Sequence, residues 1–293
     1  MSNIVTPQKV KELRDRTQAG YMDCKQALEE TKGDVEKAIL FLREKGIAKA
    51  AKKAGAIASE GTTDVVEKDG LCLLIEVNSQ TDFVAKNDEF KKYVKDIESA
   101  ILKNKSTKDV GKMKLGNGET VDSVAINLTA KIGEKISFRR AELIKKENNQ
   151  QIGIYRHANE RISAAVVIEG KVKPEILKNV AMHVAAMAPK FLDEKQVDKE
   201  WLENEKKILI AKTIDEGKPK EFAEKIVAGR IKKILEEACL IDQPFFKDPS
   251  VTIGKYVKDN GGSLVKMIRF ELGEGIEKVQ TDFASEVASQ MKK

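Results

Sequence analysis

Apolar positions in the first 55 residues recur at helical spacing. Val10, Leu13 and Thr17 share one face of a segment that Pro7 can open, because a helix's first turn has no use for that N–H. Ala19-Gly20 breaks the segment. A second helix is expected to point Met22, Ala27 and Leu28 inward and to end near Gly33. Asp34 then caps a third, whose buried stripe is Val35, Ala38, Ile39 and Leu42 and which Gly46 is expected to stop. Three helices of this size make a small core, better suited to docking than to catalysis. Ala48 to Ser59 continues as an alanine- and lysine-rich helix or linker.

The period changes near residue 60. Thr62–Val66 and Leu71–Val77, separated by Lys68-Asp69-Gly70, predict a hairpin. Phe90, Tyr93, Val94, Ile97 and Ile101 line one side of a helix over 88–102, residues 103–120 read as a loop with short structure, and Ile136 to Ile144 alternates as a strand after Gly133. A similar order then recurs. Gln151–His157 and Ile162–Ile168 resemble a second hairpin, and Ile176, Val180, Val184 and Met187 lie along a second helix. Leu264 to Glu271 repeats the strand at 136–142, with a shared Arg and Phe. This is the pattern of a duplicated strand, strand, helix, strand unit.

Between that helix and the last strand, residues 198–214 and 219–238 form two charged helical segments joined by Glu216-Gly217-Lys218-Pro219. Trp201, Ile208 and Leu209 on the first, with Phe222, Ile226, Ile231, Ile234 and Leu235 on the second, predict an antiparallel coiled-coil hairpin over 198–238. The expected fold class is therefore α+β. A three-helix module with its linker occupies 1–55. The two related halves of the core occupy 56–145 and 146–293, the second carrying the inserted hairpin.

Composition narrows the class. The chain has 293 residues, 41% hydrophobic and 34% charged, as expected for a soluble protein with more than one domain. No apolar run approaches the roughly 18 to 20 residues of a membrane helix. Met1-Ser2-Asn3-Ile4 lacks the basic-then-apolar layout of a secretory signal. A cytoplasmic protein without membrane contact is expected. The net charge of +6 arises from 53 basic and 47 acidic residues with interspersed signs, and aromatics are only 5%. The densest basic stretch, Lys45 to Lys53, fits a solvated helix face better than an RNA contact, so no direct nucleic-acid binding is expected. Of the three cysteines, Cys24, Cys72 and Cys239, none forms a CxxC pair, and Cys24 and Cys72 sit in apolar-periodic segments as small core residues.

Catalytic constellations are missing. There is no phosphate loop, dinucleotide fingerprint, HExxH or GxSxG, and no nucleophile–base–oxyanion set. Of the two histidines, His183 lies on an apolar helix, where a hydrogen-bonded core histidine is the default. His157 stands at a strand end beside polar neighbours. No metal, no cofactor and no enzymatic activity are expected. The most informative stretch is Thr81-Asp82-Phe83-Val84, between the polar end of a strand and the next helix. An aromatic beside a carboxylate there can form a protruding tip that enters a partner's apolar pocket while the acid orients it. Phe83 also stands seven residues before Phe90, so a core position fits the same spacing.

Several segments, in order, match a known family. Val10-Lys11-Glu12-Leu13-Arg14, Tyr21-Met22-Asp23-Cys24-Lys25, Thr81 to Lys86, Ala181 to Ala186, Ile268 to Glu271 and Gly273 to Lys278 closely resemble the bacterial elongation factor Ts family. Its members are the nucleotide-exchange partners of the translational GTPase elongation factor Tu. The resemblance covers essentially the whole chain. It implies a ubiquitin-associated-like amino-terminal module, a core of two related α+β halves and a coiled-coil protrusion. It also implies that the chain binds GDP-bound elongation factor Tu, on its GTPase domain and a further domain, without catalytic chemistry of its own. Under the resemblance, Phe83 enters the GTPase domain beside its magnesium site, Asp82 helps hold that contact, and Thr81 and Val84 complete the motif. Arg14, Tyr21, Met22 and Lys25 stand where the family's module grips the partner, and His157, Phe245 and Phe246 match core contact positions. Relatives usually read Gly-Ala-Gly-Met-Met where this chain has Gln18-Ala19-Gly20-Tyr21-Met22; a tyrosine keeps the apolar contact and adds a hydroxyl, so binding is expected to survive. The alternative class is a ribosome- or RNA-associated protein without exchange activity, which steep salt dependence would reveal.

Overall fold

The helical periodicity of the first 55 residues becomes α1 (Pro7–Thr17), α2 (Tyr21–Glu30) and α3 (Val35–Lys53) in a computed structural model. It describes residues 5–17, 19–217 and 220–277, with the backbone alone over 220–225. The remaining elements are β1 (Glu60–Lys68), β2 (Leu71–Ser79), α4 (Asp82–Ala85), α5 (Asp88–Asn104), α6 (Val121–Ile132), β3 (Ile136–Lys145), β4 (Gln150–Arg156) and β5 (Ile162–Gly170). They continue as α7 (Pro174–Met187), α8 (Lys199–Asp215), α9 (Lys220–Ala238), β6 (Pro244–Phe245), β7 (Asp248–Thr252), α10 (Ile253–Asp259) and β8 (Gly262–Glu271). The fold is a mixed α+β one with an amino-terminal helical region. Two three-stranded sheets have the orders β1-β2-β3 and β4-β5-β8, in each case a hairpin whose second strand also pairs with a strand arriving after a helix. The described residues divide into two compact units, one within Met1–Thr62, Glu76–Arg140 and Leu272–Lys293, the other within Thr63–Ile75 and Ala141–Glu271.

In the first unit, Val10, Leu13, Cys24, Ala27, Leu28 and Ala38 close a small core, with Val35, Ile39 and Leu42 packed against it. Asp34 caps α3, its side chain accepting from the Lys37 N–H. Two expectations fail here. Met22 is 70% exposed rather than inward. Gly46 does not stop α3, which runs on to Lys53. Glycine costs only about 1 kcal/mol in a helix interior, and here it permits a close approach, since a Cβ at Gly46 would lie 3.4 Å from the Ala130 methyl of α6. The α6 helix itself has no counterpart in the sequence expectation, which passes from a loop directly to the strand. Its local signals are present: the Thr120 hydroxyl accepts from the Ser123 N–H, Val121, Ala125 and Leu128 are buried, and Gly133 ends it. On α5 all five residues expected on the inner face are buried, and Tyr93 donates its hydroxyl to the Val121 carbonyl at 3.1 Å.

In the second unit, β5 is buried on both faces. Ala164, Val166 and Ile168 face α7 and the residues around Leu240, Phe245 and Ile253. Ala165 and Val167 turn the other way, toward Val65, Cys72, Leu74, Ile144 and Ile268. The period of two makes one strand serve two cores. Ile176, Val180 and Val184 of α7 are buried as expected, whereas Met187, in the last turn, is 48% exposed. His183 is fully buried and its Nε2 lies 2.8 Å from Gln243 Oε1, while its Nδ1 accepts from the Phe246 N–H at 3.4 Å. Burial lowers its pKa against a smaller opposing effect of the Gln243 bond, so it stays neutral. The unfolded chain therefore takes up a proton near 6.5 that the folded chain refuses. This contribution to stability is complete above that pH and is lost as pH falls below it. The unfolding free energy of a His183→Gln variant, measured in urea between pH 7 and 5, is expected to fall less steeply with acid than the parent's.

The α8 and α9 helices pack on one another, and the chain ahead of α8 is bonded to the end of α9. Lys190 and Phe191 donate their N–H groups to the Ala238 carbonyl, and Leu240 donates to Phe191. Asp198 caps α8 rather than opening it. Ile208 is 60% exposed and does not join the seam, whereas Val227 and Ile231 of α9 are buried. Lys218, Pro219 and the Phe222 side chain, which entered the expected turn and seam, lie outside the described residues, as do Gln18 and Lys278.

Candidate functional site

The chain leaves β2 at Ser79 and makes the single turn of α4 before Asn87 caps α5. The Asn87 side chain accepts from the N–H groups of Glu89 and Phe90, so α5 begins sharply and α4 stands apart from it. On this turn the side chains divide. Val84 is buried and anchors the turn, while Phe83 is 78% exposed and points its ring into solvent. The core position that spacing allowed for Phe83 is thereby ruled out. Asp82 holds Lys86 at 2.7 Å, and the Lys86 ammonium lies 5.7 Å from the centre of the Phe83 ring. The Lys86 hydrogen bond keeps the Asp82 carboxyl below its ordinary range, so it is charged at neutral pH.

Thr81 is half-buried, and both its donors are taken by one carboxylate. Its N–H donates to Glu134 Oε2 at 3.0 Å, and its hydroxyl lies 2.9 Å from the same oxygen and 3.0 Å from Oε1. Ser79 donates its hydroxyl to the Thr81 carbonyl at 2.8 Å. Next to Glu134, the Lys135 N–H donates to Gln80 Oε1 at 2.9 Å. Sequence reasoning missed Glu134. It follows the helix-ending Gly133 by one residue, but nothing local links it to a threonine 53 positions away.

The other expected contact residues fall in three places. Arg14, Tyr21, Met22 and Lys25 are all exposed, on α1 and the first turn of α2; Tyr21 is 51% and Met22 70% exposed. His157 is exposed at the β4–β5 turn, its Nδ1 2.9 Å from Asn159 Oδ1. Phe245 requires a correction. It is 4% exposed, stacks on Tyr256 at 4.3 Å and belongs to the second unit's core, so it supports a surface rather than forming one. Phe246, 37% exposed, keeps an open face, with the Lys247 ammonium 5.9 Å from its ring centre. Of the basic stretch at 45–53, Lys45 and Lys49 both hold Asp23, at 3.1 Å each, which spends two of its charges within the fold. Among the described residues no group of three or more His, Cys, Asp or Glu is placed to hold a metal ion, and no helix is long and apolar enough to cross a membrane.

Comparison with known proteins adds the family. The sequence profile described as Elongation factor TS matches residues 80–274, which include the Phe83 turn and Glu134. Elongation factor Ts of Malacoplasma penetrans (strain HF-2) is 60% identical over 290 residues, 99% of each chain. Elongation factor Ts of Ureaplasma urealyticum serovar 10 is 48% identical over 286 residues, covering 97% of this chain and 98% of that one.

Proposed function

The chain belongs to the elongation factor Ts family, and on that premise we propose that it is a nucleotide-exchange factor of translation elongation that binds GDP-bound elongation factor Tu and releases its GDP through the Phe83 turn. The observation that carries this reading is a phenylalanine 78% exposed on a turn that is itself pinned, by Val84 beneath and Glu134 behind. A large ring in water costs free energy that burial in a partner recovers. Holding the ring on a fixed turn reduces the entropy lost when it docks.

GDP is held in a GTPase chiefly by contacts to its phosphates and by bound magnesium. An exchange factor needs no chemistry of its own, only a higher affinity for the empty or distorted site than for the occupied one. By linkage, the factor by which it weakens GDP binding equals the factor by which GDP weakens its own. Phe83 is the group that enters beside the magnesium site. The charged Asp82 orients it there, and Thr81 and Val84 hold the turn that bears both. Arg14, Tyr21, Met22 and Lys25 form a second grip on the GTPase domain. His157 and Phe246 contact the partner as well, with Phe245 as the packing beneath Phe246. The helix pair over 198–238 acts as a coiled-coil arm inserted into the second of two related halves, 56–145 and 146–293. The cytoplasm is the compartment in which this partner is met, and no cofactor is needed.

The test is stopped-flow release of labelled GDP from elongation factor Tu with and without this chain. Acceleration that saturates with chain concentration supports the reading, and a release rate independent of the chain refutes it. Salt separates the reading from RNA binding. Affinity for elongation factor Tu should depend weakly on ionic strength, because the central contact is apolar. For the second grip, changing Tyr21 and Met22 together to alanine is expected to weaken binding to nucleotide-free elongation factor Tu about tenfold, since few interface side chains carry most of the energy. Calorimetric titration measures this. Both side chains are exposed, so the melting temperature should stay within about 1 °C of the parent.

A further inference from the structure

We propose that Glu134 is a positioning residue for Phe83: its carboxylate takes both donors of Thr81 and so fixes the turn that presents the ring. The proposal rests on the exchange reading above. A helix of four residues cannot hold its own shape, because forming the first turn fixes several dihedral angles for a single hydrogen bond. The α4 turn therefore depends on groups outside it. Thr81 is its N-cap residue, yet its hydroxyl makes no capping bond to the turn. The hydroxyl and the backbone N–H instead point away from α4, to one carboxylate, in charge-assisted hydrogen bonds of 2.9 to 3.0 Å. Glu134 makes no cap for α6, which is ended by the Gly133 N–H donating to Thr129.

The Glu134 backbone is itself held on both sides. Gly133 has a φ of 87°, in the left-handed region that glycine enters without strain, and this turns the chain out of α6 toward Thr81. Two residues after Glu134, the Ile136 N–H donates to the Thr129 hydroxyl at 3.1 Å. Lys135 ties the same turn to two more places. Its N–H goes to Gln80, and its ammonium donates to the carbonyls of Ala54 at 2.7 Å and Ala56 at 3.1 Å, just beyond α3. Residues 133–136 thus form one knot holding the Phe83 turn from behind.

The test is a double-mutant cycle on GDP release from elongation factor Tu, using the full chain. Glu134→Ala is expected to slow catalysed release about tenfold, as expected when a contact group is held loosely in place. In a Phe83→Ala background the same change should cost less than about twofold, because two changes that remove one contact do not add. A residue with a general structural role would slow both backgrounds by the same factor. Thr81→Val should slow release about threefold, and Thr81→Ser, which keeps the hydroxyl, should slow it less than Thr81→Val. Should Glu134→Ala melt at the assay temperature, the same cycle run with Thr81→Val decides the question. Equal factors in the two backgrounds, or a parent rate for Glu134→Ala, overturn the positioning role and leave the exchange reading standing. A parent rate for Phe83→Ala overturns both.

Discussion

Phe83→Ala is expected to lower the acceleration of GDP release about 30- to 150-fold while leaving the fold intact. The two halves of that statement have separate physical grounds. Phe83 is 78% exposed, so its removal from the free chain breaks little, and surface changes of this kind stay within about 0.5 kcal/mol of the parent. Burying a phenylalanine in a partner supplies about 2 to 3 kcal/mol. At about 1.4 kcal/mol per decade this gives the stated range. The loss should appear in the complex and nowhere else. GDP should bind the mutant complex more tightly than the parent complex by the same factor, because the coupling is reciprocal. Phe83→Leu keeps most of the apolar area and should fall between parent and alanine. Asp82→Ala should cost less, since the Asp82–Lys86 pair is exposed to solvent and such pairs contribute little. A Phe83→Ala chain that released GDP at the parent rate would leave the insertion mechanism without its central group.

What could be read from the sequence was whatever is written locally. The α5 face, the two hairpins and the strand at β8 follow from spacing alone, because a period of 3.6 or 2 is set by the backbone and needs no distant partner. The exposed state of Phe83 was not decidable in this way, since the same seven-residue interval to Phe90 suits a core position and a tip. It was settled by Asn87, whose cap starts α5 afresh and separates the two phenylalanines into different elements. Met22 and Met187 read as inward on hydrophobicity, yet both lie at helix ends, where a helical stripe no longer faces packed neighbours. Gly46 reads locally as a stop because its packing partner, Ala130, lies 84 residues away on a helix that the pattern does not reveal. Phe245 and Phe246 are adjacent and chemically identical, and only the tertiary fold decides that one stacks on Tyr256 while the other opens to solvent. Glu134 is the same case in polar form: its partner is distant in sequence, so only the fold assigns it.

Glu76→Leu is expected to destabilise the first unit by about 3 kcal/mol. Glu76 lies in β2 with its side chain fully buried. It accepts from Arg139 Nη1 at 2.7 Å, Arg140 Nε at 2.6 Å, Asn78 Nδ2 at 3.1 Å and the Gly273 N–H at 2.8 Å. Burial works against its charge. The Gly273 N–H, Arg139, Asn78 and Arg140 outweigh that, and the pKa lies below the ordinary 4.5. Leucine fills the volume but strands these donors. The two guanidinium groups are partly exposed and recover some hydration, which places the loss at the lower end of the range for a broken buried pair. The buried Gly273 N–H has no such recourse, and its hydrogen-exchange protection should fall together with the melting temperature. Glu76→Gln keeps an acceptor oxygen and should cost less. Because the folded pKa is depressed, the carboxylate's contribution is complete above 4.5 and is lost as pH falls through the lower folded value, so the Gln variant should lose stability less steeply in acid than the parent. If Glu76→Leu melts at the parent temperature with Gly273 still protected, the four donors must find other acceptors, and the carboxylate is not what ties the segment after β8 to β2 and β3.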